Sequence, residues 1–269
     1  MTGTPRPSYE CAQEPLPRLL DEAHEGRIQV PEFQRELRLD DEWITSLLAS
    51  VSLGYPIGVF QLLQAGDRGL RFSSRPVTGA PSSSDAPERL LIDGQYRLTS
   101  LYQVLASGQA VHTRDGHGNP VRRWYYLDMS AATDPAADRD EAIISLPETR
   151  QGVTPQRRPL DLSTPEREWE ERMFPLRLVF GDAAELRHWQ HGFVTPGNAT
   201  ATELAVDGEG YAIRDHLMDR FTATVLTAFE NYLVPTIVLG SETTRWSVRV
   251  HGGPDGRTLS DRFRVADDS

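Results

Sequence analysis

The chain has 269 residues, a single cysteine (Cys11) and a formal net charge of −11. That length fits one large domain or two small ones and is ample for a buried core. One cysteine excludes an internal disulfide, a four-cysteine zinc site and a cysteine-ligated cluster. All 28 basic residues are arginine, which excludes a Walker A lysine, a Schiff base and a lysine general base. The N-terminus lacks an apolar signal core, and no run approaches the roughly 18 apolar residues of a membrane span. A cytoplasmic protein with no membrane partner is expected. With 39 acidic side chains the chain as a whole repels nucleic acid, so DNA contact requires a local arginine cluster.

Residues 15–26 predict a short helix, with Leu16, Leu19, Leu20 and Ala23 apolar and Gly26 as its stop. Ile28–Val30 reads as a strand ending at Pro31. Asp40 and Asp41 open an amphipathic helix whose apolar positions are Trp43, Ile44, Leu47, Leu48 and Val51, closed by Gly54. Val59–Leu63 reads as a strand, 73–87 as a loop, and Arg89–Ile92 as a strand. A helix follows with Leu98, Leu101, Tyr102 and Leu105 on one face. A hairpin is predicted from 110–113 and 122–128. Residues 130–165 are punctuated by Pro and Asp and give no clear pattern. Thr164-Pro165 starts a helix by the capping and N1-proline rules, and 182–191 predicts another. The longest helix is expected at 211–233, where Ile213, Leu217, Phe221, Val225, Phe229 and Leu233 form an i+4 ladder. Val234–Leu239 reads as the last strand.

Three stretches put polar groups where a core would not want them. Pro31-Glu32-Phe33-Gln34-Arg35 follows a strand. Gly54-Tyr55-Pro56-Ile57-Gly58 is a rigid turn. In Leu91-Ile92-Asp93-Gly94-Gln95-Tyr96-Arg97-Leu98-Thr99 a strand ends and a helix begins. There Asp93 can accept N–H bonds from the new helix, Gly94 allows close backbone approach, and Arg97 sits on the first turn. A helix N-terminus beside an arginine suits an anion. The plainer alternative is that Asp93 only caps the helix and Arg97 only faces solvent.

Taken together, these stretches resemble the N-terminal domain of GmrSD-type restriction proteins, of ParB/sulfiredoxin-like fold, to which the phosphorothioate-sensing SspE type also belongs. The resemblance is strong over residues 14–106. The family usually shows Asp-Gly-Gln-Gln-Arg at the third stretch, and here Tyr96 replaces the second glutamine. The resemblance implies a nucleotide-handling site at this turn, with NTP hydrolysis in proteins that restrict foreign DNA. Carried over, Asp93, Gln95 and Arg97 are the catalytic residues: Asp93 polarises a water or holds a divalent ion such as Mg²⁺, Gln95 orients water or phosphate, and Arg97 neutralises phosphate charge. Gln34, Arg35, Gly94 and Thr99 are the nucleotide- and phosphate-binding set. No metal ligand set is identified. Full-length members commonly add a His-Asn-His nuclease domain, which this sequence does not show, so the chain reads either as a stand-alone member or as part of a longer protein whose nuclease domain or partner subunit lies outside it.

Other candidates are weaker. His251, in 246–253, stands where the family has an asparagine, but the glycine-rich sequence around it reads as a turn. His188 and His191 form an i,i+3 pair without an evident third metal ligand. Glu166, Glu168, Glu170 and Glu171 alternate with arginines and read as a solvated helix face. Asn198-Ala199-Thr200 matches a glycosylation acceptor, of no consequence in a cytoplasmic chain. Arg122–Tyr126 joins basic and aromatic residues, as a DNA-facing edge or as core and surface alternation.

The expected fold is α+β, with a ParB/sulfiredoxin-like mixed α/β part over 1–130 and a mainly helical part over 131–269. The expected function is an NTP-binding and hydrolysing domain of an anti-phage restriction protein, with NTP and DNA as partners. The alternative is a DNA-binding module that senses a backbone modification such as phosphorothioate, using Phe33, Tyr55 or Tyr96 and keeping a regulatory nucleotide site. A third possibility is a scaffold whose polar turns only cap helices.

Overall fold

A computed structural model describes residues 9–35, 37–65, 73–83, 85–154, 157–195 and 208–240. The stretches around His251 and Asn198 lie outside them. The elements run β1 (Tyr9–Pro15), α1 (Leu16–His24), β2 (Ile28–Pro31), α2 (Asp41–Ser52), β3 (Phe60–Gln64), β4 (Ser74–Pro76), β5 (Arg89–Asp93), α3 (Gln95–Leu105), β6 (Val111–Arg114) and β7 (Pro120–Asp128). They continue with α4 (Met129–Thr133), α5 (Arg139–Ala142), β8 (Ile143–Pro147), β9 (Gln151–Val153), β10 (Pro159–Asp161), α6 (Pro165–Glu171), β11 (Met173–Pro175) and α7 (Ala183–Val194). Last come α8 (Gly208–Phe221), a π-helical turn (Thr222–Leu226), α9 (Thr227–Glu230) and β12 (Leu233–Leu239).

The chain divides into two compact units that interleave in sequence, rather than meeting at residue 130. The first comprises residues 1–37, 58–99 and 233–269, the second 38–57 and 100–232. The C-terminal β12 belongs to the first because it pairs antiparallel with β1 and parallel with β3.

The first unit is built on one mixed sheet in the order β1-β12-β3-β5-β2-β4. α1 buries Leu16, Leu19, Leu20 and Ala23, the stripe its sequence predicts. Gly26, at φ +76°, makes the turn into β2. The segment expected to be a loop contributes β4, which pairs with β2 through main-chain bonds that composition does not reveal. Leu63, Leu90 and Ile92 form a cluster against which Phe33 and Leu239 pack.

The second unit holds a four-stranded antiparallel sheet in which β7 pairs with β6, β8 and β11. α2 starts where Asp40 accepts the backbone N–H groups of Glu42 and Trp43. It buries Ile44, Leu48 and Val51, while Trp43, expected on the buried stripe, is 71% exposed. Residues 130–165 resolve into α4 and α5, each capped by an aspartate (Asp128 and Asp138), and strands β8 to β10. The region after 130 is therefore mixed rather than mainly helical. The i+4 ladder near the C-terminus is helical from 208 to 230, and Leu233 already belongs to β12. A strict four-residue spacing drifts around a helix of 3.6 residues per turn. The π turn, with Thr227 N–H on the Thr222 carbonyl, widens the helix between Phe221 and Phe229, and Phe221, Val225 and Phe229 are all buried.

No helix among the described residues is long and apolar enough to cross a membrane.

Candidate functional site

The strand-to-helix turn after β5 is shaped by a bulge. Gln61 pairs with Asp93 and Leu62 with Leu91, so Ile92 is one residue too many for its partner strand. Such bulges bend a strand and re-aim the residues at its end. On the other side of β5, β2 pairs only as far as Gln29 with Leu90. The Gln34 side chain takes over there: its Nε2 donates to the carbonyls of Leu91 at 2.7 Å and Ile92 at 2.8 Å. Both carbonyls would otherwise need a partner at the strand's end. With its donors engaged, Gln34 offers only an acceptor oxygen, which does not suit a phosphate. The geometry makes it a brace of the turn.

Gly94 carries the carbonyl that accepts the first helical bond, from Leu98 N–H at 2.9 Å, and so fills the cap position itself. Its φ is +97°, and a β-carbon there would stand 2.7 Å from Phe60 Cδ1. The missing side chain thus makes room for a phenyl ring as well as for the turn. Asp93, half exposed, lies 3.6 Å from the Arg97 guanidinium. Arg97 also donates to the Val59 carbonyl at 3.2 Å and lies over the Phe60 ring.

Gln95 and Thr99, one turn apart on the same face of α3, are 8% and 0% exposed. Gln95 Nε2 and Thr99 Oγ1 are buried and have no hydrogen-bond partner among the described residues. Buried polar atoms of native proteins are rarely left so without a water, ion or ligand. Gln95 and Thr99 share the buried face of α3, while Arg97, two residues after Gln95, stands on another face beside Asp93. Arg35 is exposed, and its carbonyl, like that of Gln34, accepts from Arg75.

The three aromatic candidates have different settings. Phe33 packs on the Leu63–Leu90–Ile92 cluster. Tyr96 is half-buried. Tyr55, in the second unit, is 59% exposed, and its carbonyl accepts from the Tyr232 hydroxyl.

Among the described residues no three side chains of His, Cys, Asp or Glu cluster as a metal cage. His188 and His191 are exposed on α7. The strand Arg122–Tyr126 runs from surface to core instead of alternating: Arg122 is exposed and pairs with Glu148, Arg123 is half-buried and pairs with Asp41, and Tyr125 and Tyr126 are both buried.

Two charged clusters carry no signal in the sequence. Arg89, at the opposite end of β5 from Asp93, bonds both Glu14 oxygens at 2.8 and 2.9 Å and also bonds Glu22, which is 2% exposed. A cleft of about 400 Å³ is lined by Arg18, Glu22, Gln64, Glu88 and Arg89. In the second unit Glu168, expected to be solvated, is fully buried. Only its place on the inner face of α6, facing Trp189 on α7, sets it apart from its glutamate neighbours.

Comparison with protein families decides what this turn belongs to. A family model described as the GmrSD restriction endonuclease, N-terminal domain, matches residues 16–176. The chain belongs to this family. The match covers more than half of the chain and extends well beyond the motif-bearing region 14–106, as far as Leu176, directly after β11. It places this GmrSD N-terminal domain among DNA-restriction and defence proteins. No curated protein matches the chain.

Proposed function

We propose that this GmrSD N-terminal domain binds and hydrolyses a nucleoside triphosphate at the Asp93–Thr99 turn, in the service of DNA restriction. The observation that carries the reading is the pair of buried, unpartnered polar atoms on Gln95 and Thr99, directly behind a helix N-terminus that holds a carboxylate and a guanidinium. The mixed sheet leading into this turn supports a ParB/sulfiredoxin-like assignment for the first unit.

The roles follow from the donor types. The first N–H groups of α3 have no intrahelical partner and favour an anion. Arg97, only loosely paired with Asp93 at 3.6 Å, neutralises phosphate charge, and exposed Arg35 adds to the positive field. Gln95 Nε2 orients the phosphate or the attacking water. Asp93 takes the proton as the water oxygen bonds the γ-phosphorus and the bridging P–O bond breaks. Phosphoryl transfer asks for such positioning and charge more than for covalent chemistry. A lone carboxylate fits Mg²⁺, which is commonly held by one or two carboxylates together with phosphate oxygens and waters. In the alternative arrangement Asp93 would hold the Mg²⁺ instead of taking the proton, and bound Mg²⁺ would offset phosphate charge.

The test is phosphate release from a panel of NTPs with Mg²⁺, for wild type and Asp93→Ala, with and without DNA. Release by the wild type that falls at least about 100-fold in the variant is expected. Absence of release from every NTP by folded wild type overturns the reading. A salt-dependent DNA shift that survives Asp93→Ala would then favour the sensor of modified DNA.

A further inference from the structure

We infer that Phe60 and Gly58 are positioning residues that together fix the guanidinium of Arg97, so the β3 entry controls how the α3 turn meets a phosphate. This rests on the phosphate-site reading above. Arg97 Cζ lies 5.3 Å from the centroid of the Phe60 ring, within the range of a cation–π contact. The same ring occupies the space a β-carbon on Gly94 would need. One fully buried side chain therefore touches both the glycine that starts α3 and the arginine on its first turn.

Gly58 works from the other side. It has φ +90°, and a β-carbon there would overlap Nη1 of Arg97. The guanidinium occupies the space of a missing side chain. Between ring and glycine, the Val59 carbonyl takes a bond from Nη2 at 3.2 Å. Three consecutive residues, 58 to 60, thus each meet the guanidinium. Pre-positioning of this kind limits the rotamer freedom Arg97 must lose when it meets an anion.

The test is a double-mutant cycle on the full chain, read by binding of fluorescent N-methylanthraniloyl ATP and GTP with Mg²⁺ and by thermal melting. Phe60→Leu keeps an apolar residue but removes the π face, and Phe60→Met is the second choice if the leucine variant does not fold. Phe60→Leu is expected to weaken binding about tenfold and to change it less than twofold when Arg97 is already alanine. Gly58→Ala should behave in the same way, because its methyl group displaces the guanidinium. An equal loss in both backgrounds would show that Phe60 acts through the core and not through Arg97, and would overturn the inference. So would a folded Phe60→Leu variant that binds like wild type. Failure of the wild type to bind either nucleotide would instead overturn the phosphate-site reading, before any variant is compared.

Discussion

The indole N–H of Trp189 donates to Glu168 Oε2 at 2.7 Å, and the carboxylate it meets has no exposure to solvent. The other oxygen faces Arg150 Nη1 at 3.9 Å. The Tyr126 hydroxyl and Arg177 also act on this group. Burial dominates and pushes the Glu168 carboxyl from its ordinary value of 4.5 up to about 7.

Between pH 4.5 and 7 the folded chain therefore holds a proton on Glu168 that the unfolded chain lacks. That contribution to stability falls as pH rises through the window and is level above it. It amounts to on the order of 3 kcal/mol. Urea denaturation from pH 4.5 to 8 should show this slope in wild type and lose it in Glu168→Gln. The glutamine variant should also be the more stable protein at pH 8. A slope unchanged by the substitution would mean that Glu168 is ionised throughout.

Arg89 has the opposite dependence. Its bonds hold the Glu22 carboxyl below the ordinary carboxylate range, against the opposing effect of burial. This stability is present above the unfolded value and is lost as pH falls through the lower folded one. Arg89→Met removes the partner of the buried Glu14 carboxylate and one of the three arginines on Glu22, which keeps Arg18 and Arg27, and should cost about 3–5 kcal/mol at neutral pH. Adding Glu14→Gln and Glu22→Gln should recover much of it. Denaturation midpoints of the single and triple variants at pH 7 measure both effects.

Gln34→Leu strips two donors from the Leu91 and Ile92 carbonyls and should cost about 1–3 kcal/mol. Gln34→Glu should cost more, because it places an acceptor against two acceptors. Amide exchange at the end of β5 would rise in both variants, as the strand loses the brace that substitutes for its neighbour.

Gly94→Ala and Gly108→Ala form an informative pair. Both glycines have positive φ, at +97° and +66°, but Gly108 has open space where Gly94 has Phe60. The Gly108 variant should lose about 1 kcal/mol from backbone strain alone. Gly94→Ala should lower the melting temperature clearly further, because the ring must also move.

The motif-bearing turn was legible in the sequence because its signals are local. The apolar run Leu90–Ile92, the glycine and the helical spacing of Leu98, Leu101, Tyr102 and Leu105 each lie within a few residues. They place Asp93, Gln95 and Arg97 at a helix start without any knowledge of distant partners. The role of Gln34 was not legible, since it depends on a bulge in β5 and on β2 ending early. Trp43 misled for the converse reason: a helical period shows which residues share a face, but not how wide the covering layer is.

The sequence by itself determined the elements through the family motif, from α1 to α3 except for β4, and the absence of lysine and paired cysteine from any chemistry. Caps, glycines and periodicity act over one or two helical turns, so they can be read in order along the chain. Tertiary structure alone decided that β12 completes the first sheet, that Glu168 is buried while its neighbours are not, and that Phe60 seats Arg97. Each of these depends on residues that are not near one another in sequence or on which side of an element is covered. Packing settles both, and its energy is set by shape and burial rather than by local spacing.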